Sequence, residues 1–177
     1  MNRNEIISSA MEQLGRDTQM LDAYAGKFTT YANDAILDLA EKYKPVRTDT
    51  VAVVDGAIDT ATLPRQCLKI LKITQSGTEL DFTAGSSSEK ISVGASGNVD
   101  VTYRYAPKLL ASKTDVPELP LYMHNLIVTY VVGRERASTD ASNQRGANIF
   151  FEIYEAAKRN IRPHKGSDAY SIINRWD

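Results

Sequence analysis

The hydrophobic period of this chain changes twice, from helical to alternating and back to helical, and that order restricts the folds open to it. In the first block Leu21, Tyr24, Phe28, Tyr31, Ala35, Leu39 and Tyr43 recur at steps of three and four, which marks one face of a helix. Lys44-Pro45 ends it, because proline disfavours helical backbone in the residue before it. Upstream, Ile6, Ile7, Ala10, Met11 and Leu14 share one face of a shorter helix over 5–14, and Gly15 is its natural stop.

Between residues 48 and 106 the period is two. Val51 and Val53, Leu80 and Phe82, and Ile91 and Val93 alternate with polar residues. The clearest strand runs through Val99, Val101, Tyr103 and Tyr105, with Asp100, Thr102 and Arg104 between them. Turn signals at Asp55-Gly56, Ser76-Gly77 and Gly94-Ala95-Ser96-Gly97, with serines at 86–88, separate the strands. Leu68, Ile70, Leu71 and Ile73 fit neither period, as in a bulged strand or one covered on both faces. Short strands at this spacing make a small antiparallel sandwich or barrel-like module.

After Pro107 the helical period returns. Tyr122, Met123, Leu126, Ile127, Tyr130 and Val131 predict a mostly buried helix to about Arg136. Ser138-Thr139-Asp140 offers caps for the next one, whose buried stripe is Ala147, Phe150, Phe151, Tyr154, Ala157 and Ile161. The simplest packing joins the first and last helical blocks. The predicted class is therefore α+β: a mainly α-helical bundle (1–46 and 108–161), an inserted β-module (47–107) and an extended C-terminal arm (162–177).

That arm carries an apolar cluster where chain ends are normally polar. Arg162, Pro163, His164, Lys165, Gly166 and Ser167 are followed by Tyr170, Ile172, Ile173 and Trp176, the single tryptophan. A large aromatic there needs a surface to bury it, on its own domain or on another protein; the second is the expectation, since Pro163 and Gly166 uncouple the arm from the helix. Burying the four side chains removes roughly 500 Å² of apolar surface, or about 10 kcal/mol gross. Ordering some seven residues at roughly 1.5 kcal/mol each cancels it, so one arm is marginal and many arms on a ring are durable. Tyr170, Ile172 and Trp176 suit an added strand; Ala169, Ile172, Ile173 and Trp176 suit a short helix capped by Ser167 or Asp168, the preferred form.

Chemistry-bearing patterns are sparse. A net charge of −1 argues against a polycationic nucleic-acid binder. No run approaches a membrane span, and the N-terminal residues lack a signal-peptide layout. The lone Cys67 excludes an intramolecular disulfide and reads as a small core residue. His124 has no second histidine or cysteine one turn away, so a hydrogen-bonded buried histidine is expected and not a metal ligand. Asp115 and Glu118 could form a carboxylate pair, but acids before a helix more often serve as caps and dipole partners. Lys158, Arg159, Arg162 and Lys165 complement a helix C-terminus, or else face an acidic partner or passing nucleic acid. No catalytic residue, cofactor site or metal site is expected.

Thr114-Asp115-Val116-Pro117-Glu118-Leu119-Pro120, leading into the run from Tyr122 to Arg134, resembles tailed-bacteriophage head–tail connector (neck adaptor) proteins. So do Asp34-Ala35-Ile36-Leu37-Asp38-Leu39-Ala40 before Lys44-Pro45, Thr62-Leu63-Pro64 before Cys67-Leu68-Lys69-Ile70, and residues 99–107 with Tyr103-Arg104-Tyr105. The resemblance implies a non-enzymatic virion protein at the portal vertex, assembled in the host cytoplasm. It implies a ring, typically of twelve copies, between the portal protein and the next neck or tail protein, with DNA passing through unread. Its docking residues would be Arg162, Tyr170, Ile172, Ile173, Arg175 and Trp176. The rival readings are another neck or tail-completion protein, a nucleic-acid-binding module using the basic cluster, and a carboxylate hydrolase using Asp115 or Glu118.

Overall fold

Helix α3 (Leu121–Ala137) buries eight residues, Met123 and Val131 among them, because three other helices pack on it. A computed structural model describes residues 1–84, 89–138 and 141–164. It divides into two units: Met1–Tyr43 with Pro107–Arg162, and a second formed by Lys44–Ala106.

In the first unit α1 (Arg3–Gln13) starts at Asn2, whose side chain accepts from the Glu5 N–H while Glu5 accepts from the Asn2 N–H. This reciprocal pair satisfies two N–H groups that a helix start leaves open. The helix gives way to Gly15, at φ +67°, a left-handed position that glycine takes without steric cost. Helix α2 (Leu21–Tyr43) buries Phe28, Ala32, Ala35, Ile36 and Leu39. Helix α4 (Ala141–Arg159) follows α3, and of the stripe read from sequence it buries Ala147 and Tyr154, with Ile161 buried just beyond its end.

Close approach between α3 and α4 depends on Gly133. A β-carbon there would lie 3.3 Å from Phe150 Cβ and 3.3 Å from Phe151 Cε1. Tyr130 meets the ring of Phe151 edge-on at 5.9 Å, next to Tyr154 at 5.1 Å. The expected burial of Tyr122 does not occur: it is 62% exposed, one residue inside α3, before the surrounding helices close over it. Ser138 also differs from expectation. It is the C-cap of α3, its hydroxyl donating to the Glu135 carbonyl at 2.8 Å.

The second unit contains β1 (Val46–Val53), β2 (Ala57–Asp59), β3 (Cys67–Gln75), β4 (Thr78–Glu79), β5 (Phe82–Ala84), β6 (Lys90–Val93) and β7 (Gly97–Tyr105). They form two antiparallel sheets, ordered β1-β7-β3-β4 and β2-β6-β5. β7, the strand most legible in sequence, is flanked on both sides, and its Val99, Val101 and Tyr103 are buried. β3 takes the bulged alternative, with register shifts between Cys67 and Lys69 and between Ile70 and Lys72. The extra residues are Leu68 and Leu71, which explains why its apolar positions match neither period.

The expectation of a mainly helical bundle with a β appendage is overturned. Among the described residues helix accounts for 46% and strand for 25%, an α+β arrangement of four α-helices and two antiparallel sheets. The insertion carries its own core, in which Ile58, Ile73, Ile91, Val93, Val99, Val101 and Tyr103 from both sheets meet. A segment that buries its own apolar faces is a folding unit in its own right. Of the expected arm, only residues 162–164 fall within the described part of the chain.

Candidate functional site

The point at which the chain leaves the helical unit is held by two bonds to one carboxylate and by a buried isoleucine. Tyr154 Oη donates to Asp38 Oδ2 at 2.6 Å and Lys158 Nζ to Asp38 Oδ1 at 2.6 Å, tying the end of α4 to α2. Burial and the Asp38 carboxylate both raise the Tyr154 phenol pKa, so the proton stays on the phenol. Burial works against the Lys158 charge, but the bond to Asp38 outweighs it and the pKa rises. Ile161 is buried in the helical core, and its N–H donates to the Lys158 carbonyl at 3.1 Å. Arg162, the next residue, is exposed. Tyr170, Ile172, Ile173, Arg175 and Trp176, the other expected docking residues, lie outside the described residues, as does Lys165.

The basic cluster is therefore divided. Lys158 is engaged in a structural ion pair, whereas Arg159 and Arg162 face solvent.

Among the described residues, two groups of exposed apolar side chains stand out on this unit, besides the single Met20, Leu37 and Leu109. Leu121 is 72% exposed, beside Tyr122, with Val116 also exposed in the preceding loop. On α4, Ile149 and Ile153 are one turn apart and exposed, beside a shallow groove lined by Phe151, Glu152, Glu155 and Arg159. Neither area stood out in sequence, because each lies within a helical stripe or loop of ordinary composition. Only the packing shows which apolar positions remain uncovered.

The carboxylates weighed for catalysis are turn braces. Asp115 Oδ2 accepts from the Ala111 and Ser112 N–H groups at 2.8 and 2.7 Å, and these bonds, with Lys108 nearby, lower its pKa. Glu118 Oε2 accepts from the Lys108 N–H at 3.1 Å. Their role differs from the helix cap expected: α3 starts at Pro120 with no side-chain cap, and both acids bind the loop before it.

His124 is buried. Its Nε2 faces the Leu119 carbonyl at 3.0 Å and its Nδ1 faces the Met1 nitrogen at 2.9 Å. The first contact puts the ring proton on Nε2, leaving Nδ1 as acceptor. Burial lowers its pKa, so the imidazole is neutral at pH 7. Among the described residues no group of three or more His, Cys, Asp or Glu side chains is placed to hold a metal ion. No helix among them is long and apolar enough to cross a membrane. Cys67 is half-buried in the β-module, and burial raises its thiol pKa, away from the reactive thiolate.

Comparison of the chain with protein-family models finds no match, and a search of curated proteins finds none either.

Proposed function

We propose that this chain is a structural protein of the tailed-phage neck, a head–tail connector whose copies form a ring against the portal and whose segment 162–177 docks on portal. The observation that carries this reading is the anchored exit of α4. Asp38, Tyr154, Lys158 and buried Ile161 hold the chain in place up to exposed Arg162, and the single tryptophan lies fourteen residues beyond, at 176. A fixed base followed by an apolar, aromatic-ended segment is a layout suited to attachment. The resemblance of residues 114–134 and 99–107 to connector proteins supports it. So do the two uncovered apolar areas, Leu121 with Tyr122 and Ile149 with Ile153, which lie at different places on one unit. Two unlike patches suit a head-to-tail contact, the kind that closes into rings.

The test is removal of residues 169–177. The expected result is a folded chain, by circular dichroism, that no longer binds the portal ring. Unimpaired binding refutes the docking role, and unfolding on removal shows that the segment belongs to its own domain.

A further inference from the structure

The β-module contains a groove of about 710 Å³ with the makings of a strand-binding slot. It opens between two strand edges. β3 pairs with β7 on one side, but on the other only Thr74 and Gln75 pair with β4, so no described strand covers residues 67–72. β5 is the outer strand of the second sheet. Leu63, Ile70, Phe82 and Ile91 supply apolar walls, while Arg65, Lys69 and Glu89 also line the groove. Leu68, the residue ejected by the first β3 bulge, is 62% exposed along it.

We propose that this groove holds the chain's own residues 170–176 in the subunit that has not yet met its partner. The proposal rests on the docking role given above and adds a control step to it. In extended form Tyr170, Ile172 and Trp176 fall on one side of the segment, matching the apolar walls. Asp168 and Asp177 flank the cluster, opposite in sign to Arg65 and Lys69, and Arg175 is opposite in sign to Glu89. Lengths agree as well: six residues of β3 edge span about 20 Å and seven of the segment about 23 Å. The thirteen residues that follow His164 can extend to about 43 Å. A segment held in the groove is withdrawn from the partner, so apparent affinity falls by the fraction that is free. Subunits then stay apart in solution until the partner ring outcompetes the groove.

Trp176 is the only tryptophan, so its emission reads the segment directly in the full-length chain. In dilute solution that emission is expected to be blue-shifted and protected from acrylamide. Leu68→Asp with Lys69→Glu, both at exposed positions, is expected to shift it to the red and open it to quencher, with circular dichroism unchanged. Leu68→Asp alone gives a smaller shift in the same direction. If one-tenth of the segments are free, the double variant binds the portal ring about tenfold more tightly. A solvent-like Trp176 in the unaltered chain, or one indifferent to both variants, overturns the proposal. So does protection that grows with protein concentration, which would assign the groove to a second copy. The docking role fails separately, through portal binding that survives removal of 169–177.

Discussion

Arg16 and Glu135, from the loop after α1 and the last turn of α3, meet at 2.6 Å between Nη2 and Oε1, and Lys27 of α2 reaches the other carboxylate oxygen at 2.7 Å. Glu135 is buried, so its charge is tolerable only because two cations share it. The Arg16 guanidinium also lies over the Tyr24 ring, 4.4 Å from its centre. Burial alone would raise the Glu135 pKa, but the Lys27 hydrogen bond and the Arg16 charge outweigh it and the net shift is downward. A carboxylate with a depressed folded pKa adds stability above its unfolded pKa, near 4.5, and loses it as pH falls through the folded value. Glu135→Gln is expected to cost about 2 kcal/mol at pH 7, a low figure for a buried pair because both cations are partly exposed. Urea unfolding followed by helical circular dichroism should show that cost shrinking below pH 4.5.

His124 gives a second, higher pH window. Its folded pKa is depressed by burial, with the Leu119 carbonyl and Met1 nitrogen facing the ring. The unfolded histidine, near 6.5, therefore takes up a proton first, and stability falls as pH drops below that value. His124→Gln, which keeps a donor and an acceptor, is expected to remove the slope immediately below 6.5 and to cost about 1 kcal/mol at pH 8. Thermal melts across that range measure both.

At Gly133, valine is expected to destabilise the protein by about 1–3 kcal/mol through overpacking against Phe150 and Phe151. Alanine recovers roughly 1 kcal/mol of helix propensity and should come out milder. Equal losses for the two variants would show that α4 yields easily.

The Asp38 cluster predicts an order. Tyr154→Phe removes one hydroxyl and leaves Asp38 with Lys158, for about 1 kcal/mol. Asp38→Ala strands the buried Tyr154 hydroxyl and leaves Lys158 only the longer 3.8 Å pairing with Glu155, so its cost should be larger, about 2–3 kcal/mol. Reversal of that order in unfolding titrations would refute the assignment.

Element type was readable wherever one face of an element meets a core. β7 announces itself because Val99, Val101 and Tyr103 point inward while Asp100 and Thr102 do not. Helix α3 is legible by its apolar density, but its central position is not, because its buried face includes His124 and Glu135 while its exposed positions include Leu121 and Tyr122, which blurs the stripe. The balance between helix and sheet is not legible in sequence because strand count alone does not show whether a module has its own core; that depends on Ile58, Ile91 and Val93 of one sheet meeting Ile73 and Val101 of the other. Asp115 and Glu118 looked like a helix start because they precede one, yet their partners lie earlier in the chain, at Ala111, Ser112 and Lys108. Of the docking residues read from sequence, only Arg162 falls within the described residues, exposed directly after buried Ile161.

The β-module opens and closes on neighbouring strands: Val46 of β1 is opposite Arg104 of β7, and the Tyr105 N–H donates to the Pro45 carbonyl at 3.2 Å. Its two junctions with the rest of the polypeptide are thus stitched to each other. Such a cassette can be cut out and replaced by a short linker, or transplanted into a host loop, without asking either piece to rethread. Evolution can exchange the module as a piece while leaving the helices to their own work.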